Sequence, residues 1–162
     1  MIRLYNAKIL TPSGLLGGEL RASGRYICYL RQEGAAASLP DRENTFERDV
    51  NCGGGILLPL PAGDGGDPCA AVRHYLSGLA ASNYAMPFKD GVSMFRKADL
   101  ILIDLKSLKP NADSSIFQSG LWVIAETFRK YQRDLLQSIL VKLKPSHIRL
   151  ILTDGHPLSI AG

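Results

Sequence analysis

The chain has 162 residues, 46% of them hydrophobic and 21% charged, with a formal net charge of +4. This composition excludes a disordered tail or a low-complexity scaffold, and the length predicts a single domain, 1–162, able to bury a core. No run of five or six like charges is present to track a phosphate backbone, and no apolar run approaches the ~20 residues that span a bilayer, so neither a nucleic-acid nor a membrane partner is expected.

Residues 1–60 read as a β-rich part. Ile2 and Leu4 alternate with Arg3 and Tyr5 in a strand from Ile2 to Leu10, Thr11 to Gly14 forms a turn, and Gly18 to Arg31 holds two further short strands. Gly14, Gly17, Gly18 and Gly24 mark the turns between them. Residues 33–49 are polar, contain one proline and read as a surface loop. Ile56 to Leu60 is a short continuous apolar run of the kind a buried strand requires.

Residues 61–162 read as an α/β part. Asp67 is placed to cap a helix with Pro68 at its first position, and Val72, Tyr75, Leu76 and Leu79 supply its apolar face up to a stop at Asn83. Ala98 to Leu105 is the best strand in the chain. A long helix from about Ser114 to Lys144 follows, with Phe117, Leu121, Ile124, Phe128, Tyr131 and Leu135 stepping by three and four before Pro145 ends it. Its length predicts a homodimer in which a second copy covers Phe117, Phe128 and Leu135. Ile148 to Thr153 is the last strand and runs into Asp154-Gly155-His156-Pro157. The expected fold class is therefore α/β, a β-rich N-terminal part followed by a small parallel or mixed sheet with a long helix.

Ligands of open α/β sheets bind outside the carboxyl ends of the strands. Three predicted strand ends carry candidate groups: Asp64 and Asp67, then Asp104, then Asp154 and His156. If the strands are neighbours, Asp64, Asp104 and His156 form a candidate metal set beside Asp154; carboxylates suit Mg²⁺ or Mn²⁺, and the imidazole admits Zn²⁺. Each group also has a simpler role. Asp67 caps a helix, Asp104 hydrogen-bonds a neighbouring loop, Asp154-Gly155 is a common turn pair, and His156 sits in an exposed loop. Cys28, Cys52 and Cys69 cannot all pair with one another and form no Cys-x-x-Cys, which predicts reduced thiols in a cytoplasmic protein. The sequence has no P-loop and no Gly-x-Ser-x-Gly elbow.

Several of these segments resemble the amidohydrolase superfamily, in its dihydroorotase- and deacetylase-like branch. The three N-terminal strands and "VNCGGGILLPL" (50–60) are similar to the segment that leads those enzymes into their first barrel strand. "LILTDGHPLS" looks like the Thr-Asp-x-x-Pro stretch at the end of their last barrel strand, which implies a proton-carrying role for Asp154. "ADLILID" is similar to a strand of the family's small β-sandwich, although here it precedes the Asp154 segment. The family's metal-binding His-x-His is replaced by Pro61-Ala62-Gly63-Asp64-Gly65-Gly66-Asp67, and a (β/α)₈ barrel takes roughly 250 residues. The resemblance therefore implies a degenerate relative, with at most metal-assisted hydrolysis of a small amide. The competing expectations are a non-enzymatic module that binds an anion or a partner, with the "GDGGDP" loop as an anion cradle, and a homo-oligomeric assembly subunit.

Overall fold

A computed structural model describes residues 1–32, 48–60, 66–111 and 125–158, apart from the side chains of 125–127. Among the described residues, eight strands form one mixed sheet that runs through both parts of the chain. They are β1 (Ile2–Thr11), β2 (Gly14–Ser23), β3 (Tyr26–Gln32), β4 (Arg48–Asn51), β5 (Ile56–Pro59), β6 (Leu100–Ile103), β7 (Ile148–Thr153) and β8 (His156–Leu158). The order across the sheet is β3-β2-β1-β5-β6-β7-β8, with β4 also paired to β1. The described helices are α1 (Pro68–Ala81), the single turn α2 (Leu105–Leu108) and α3 (Ala125–Lys142). The expected β-rich α/β fold is thus observed.

The strand directions are more antiparallel than a strand–helix–strand alternation implies. β1 runs parallel to β4 and β5, while β5–β6, β6–β7 and β7–β8 are all antiparallel. After α1 the chain crosses back through residues 82–99 before starting β6, so β6 enters from the edge where β5 ends.

Side chains of β6 alternate between two cores, as the pleat requires. Ile101 and Ile103 face the helices with Leu76, Leu135 and Ile139, whereas Leu100 and Leu102 face a second cluster with Leu4, Ile9, Leu20 and Ile27. The sheet curls around this second core. The run leading into β6 hydrogen-bonds to the start of β3: the Ile27 N–H donates to the Arg96 carbonyl at 2.9 Å, the Phe95 N–H to Ile27 at 2.8 Å and the Ala98 N–H to Arg25 at 2.8 Å.

The predicted helix start is observed. The Asp67 side chain accepts from the Cys69 N–H at 3.0 Å, with Pro68 at the first position. The long helix is described only from Ala125, so Phe117, Leu121 and Ile124 of the predicted face lie outside the described residues. The described part of that face packs largely within the chain. Tyr131, Leu135, Leu136 and Ile139 are buried against the helix-side core, and Phe128 packs on it. Polar groups fix the docking. The Leu15 N–H donates to Gln132 Oε1 at 2.6 Å, the Asn111 N–H to Ser138 Oγ at 3.0 Å, and Arg73 of α1 to the Leu143 carbonyl.

All three cysteines are free. Burial lifts the Cys52 thiol from its ordinary value of 9.0 to about 11, partly opposed by the nearby Arg149 charge. The folded state then holds a proton that the unfolded state releases, so stability is intact below about pH 9 and declines as pH rises toward 11. Urea unfolding across that window should show this decline, and Cys52→Ala should flatten it; an unchanged slope in the variant would assign the alkaline loss to other groups.

Candidate functional site

A cavity of about 1050 Å³ opens at the sheet edge where β5 ends and β6 begins. Its walls are α1, the 85–97 loop and the β5–β6 edge. Ile27, Leu60, Leu79, Val92 and Leu100 make the surface largely apolar. Lys89, Arg96 and Lys97 supply three cations, and Asp90 and Asp99 two carboxylates.

The helix presents one face to the core and another to the cleft. Cys69, Val72, Leu76 and Leu79 are buried, while His74, Gly78 and Ser82, four residues apart, line the opening. Gly78 lies inside the helix, where glycine costs roughly 0.5–1 kcal/mol relative to alanine. A Cβ there would meet nothing within 4 Å. Gly78→Ala should therefore stabilise the fold by about 0.5–1 kcal/mol while narrowing the cleft and weakening whatever binds in it. A thermal melt and a ligand titration of the variant check both halves.

The 85–97 loop carries most of the charge and is held against β1. The Phe88 N–H donates to the Pro12 carbonyl and the Val92 N–H to Leu10, each at 2.8 Å. The Phe88 ring is buried. Gly91 sits so close to β1 that a Cβ would come within 2.6 Å of the Pro12 nitrogen. From α1, the Tyr75 hydroxyl donates to the Lys89 carbonyl at 2.6 Å. Burial, reinforced by the Asp90 charge and opposed by Arg96, pushes this phenol to about 12, so it remains a hydrogen-bond donor at neutral pH.

The cations differ in how far they are neutralised. Arg96 pairs with Asp90 at 3.2 Å and Lys97 with Asp154 at 3.8 Å. Lys89 is exposed and has no carboxylate partner among the described residues. Asp99 is engaged with the backbone, since its Oδ1 accepts the Asp154 N–H at 2.8 Å.

The sequence-predicted site residues are dispersed. Asp64 lies outside the described residues. Because β6 is antiparallel to β7, Ile103 pairs with Ile148 and Leu100 with Leu152, so Asp104 is at the opposite end of β7 from Asp154, roughly 20 Å away at 3.4 Å per residue. The expected convergence of these two carboxylates is not formed. Asp104 instead caps α2, accepting from the Lys106 N–H at 3.0 Å, and its own N–H donates to the His147 carbonyl at 2.8 Å. Asp154 and Gly155 are the central pair of the β7–β8 hairpin, with φ of 50° and 77°, the pattern of a type I′ turn. His156 is exposed on the edge strand β8. Among the described residues no three His, Cys, Asp or Glu side chains gather as a metal site. The described residues therefore do not fit the metal centre that the amidohydrolase resemblance implies.

Periodicity had no means of finding Lys89, Arg96 and Lys97, because they lie in an irregular loop. The signal available was local: "KDGVSMFRK" brackets a glycine and an apolar stretch with basic residues at both ends. The chain matches no family model, and neither the curated proteins nor the solved structures include a significant match to it.

Proposed function

We propose that the chain is an amidohydrolase-related binding module that takes a small molecule with an apolar body and an anionic end. The observation that carries this reading is Lys89, without a carboxylate partner among the described residues, at the mouth of a largely apolar cleft of about 1050 Å³. That volume is at the upper limit of small-molecule sites, roughly 300–1,000 Å³, in which a few placed polar groups orient the ligand. An anion entering the cleft meets the ammonium of Lys89 and the partly neutralised Arg96 and Lys97, while its apolar portion covers Val92, Leu79 and Leu100.

The relation to amidohydrolases rests on the sequence resemblance of residues 1–60 alone; β5, at the end of that stretch, opens at its carboxyl end into the cleft. Asp154, the residue the resemblance casts as proton carrier, shapes a turn and is not in the cleft lining, although it pairs with Lys97, which is. Binding is therefore the activity the geometry favours.

Isothermal calorimetry with benzoate and its neutral counterpart benzyl alcohol separates the readings. Benzoate should bind saturably and benzyl alcohol at least tenfold more weakly, a difference of about 1.4 kcal/mol. Elemental analysis of protein purified without chelator should find well under one zinc per chain. Stoichiometric zinc together with hydrolysis of an amide substrate would overturn the non-catalytic reading.

A further inference from the structure

A second cleft, of about 550 Å³, lies between the 83–88 loop and the first half of α3. Arg129, Lys130 and Arg133 line it, and no carboxylate does among the described residues. We infer that this cleft is a separate binding site for a phosphate monoester, a dianion with several acceptor oxygens.

The charge pattern distinguishes it from the larger cleft. There, cations and carboxylates are mixed; here three cations face the opening, with no acid in the lining among the described residues. Arg129 and Arg133 are four residues apart, so they project from one face of the helix about 6 Å apart along its axis, with Lys130 alongside. Like charges at this spacing repel, and an anion bridging them removes the repulsion. Arg133 pairs with its sequence neighbour Asp134, Nε to Oδ1, at 3.9 Å. Arg129 and Lys130 are exposed and have no ion-pair partner among the described residues.

The opposite wall is fixed. The Tyr84 hydroxyl donates to Gln137 Oε1 at 2.5 Å, which holds the ring beside the basic helix face. Burial lifts this phenol and the Arg133 charge pulls it back, as expected of a cation close to the ring. Gln132, at the base, accepts the buried Leu15 N–H and anchors this part of α3 to the core. Two guanidinium forks and an ammonium match the tetrahedral oxygens of a phosphate and its double charge better than a single carboxylate does.

The test is a titration of the isotope-labelled chain with methyl phosphate, read at individual amide resonances, with dimethyl phosphate as the singly charged diester control. Saturable shifts should appear at Tyr84, Arg129 and Arg133 with the monoester. Affinity should fall at least tenfold in the Arg129→Gln/Arg133→Gln double variant and less in Lys130→Gln alone. Both variants alter exposed positions, so retained circular dichroism establishes that they fold. Shifts absent from these amides, equal binding of the diester, or unchanged affinity in the double variant would each overturn the assignment. Benzoate shifts at Gly91 and Val92 report on the larger cleft, so the two sites stand or fall separately.

Discussion

Gly155→Ala is expected to destabilise the protein on the order of 3–4 kcal/mol, combining left-handed backbone strain with backbone overpacking. Gly155 has φ of +77°, where an L side chain is strained, and a Cβ there would lie 1.9 Å from the Gly24 carbonyl oxygen. That oxygen belongs to the β2–β3 turn and is not the end of a movable side chain. The β7–β8 hairpin must therefore either lift off the β2–β3 turn or distort. For a chain of this size the loss corresponds to a melting temperature about 6–16 °C lower. Asp154→Asn is the companion measurement. Asparagine serves the same turn position, so removing the long contact to Lys97 should shift stability by no more than about 0.5 kcal/mol. A large loss in Asp154→Asn would mean that this carboxylate does more than shape the turn.

Leu135→Ala should cost about 2–5 kcal/mol, the range for emptying a fully buried leucine site. Leu135 is wholly buried within the chain, in the cluster that joins α1 and α3 to the sheet. Unfolding in urea should therefore give midpoints, in both parent and variant, that do not move with protein concentration. If a second copy covered this face, dilution would lower the midpoint, because association stabilises by mass action.

The elements with strong local signals were legible in the sequence. Asp67-Pro68 announced the start of α1 through cap chemistry, Pro145 ended the last helix, and the apolar runs at 56–60 and 148–153 were strands. Strand direction was not legible, because an apolar run such as Leu100–Ile103 looks the same in either orientation; its antiparallel sense comes from the return path of residues 82–99. That one reversal undid the expected meeting of Asp104 and Asp154. Two of the simpler local roles are observed, Asp67 as a helix cap and Asp154-Gly155 as a turn, whereas Asp104, expected to bond a neighbouring loop, caps the single turn that follows it. The cleft escaped notice because Lys89 and Arg96 are brought to α1 by the hydrogen bonds of Phe88 and Val92 to β1, which are long-range contacts with no sequence period.

The binding reading is tested most directly by mapping benzoate onto the amide resonances of the labelled chain, then repeating the map with Lys89→Gln. Saturable shifts should centre on Gly78, Ser82, Gly91, Val92 and Leu100, and affinity should fall at least tenfold in the variant, with its melting temperature unchanged. Shifts scattered away from these residues, or the same affinity with and without the Lys89 ammonium, would contradict the assignment of this cleft as an anion-binding site.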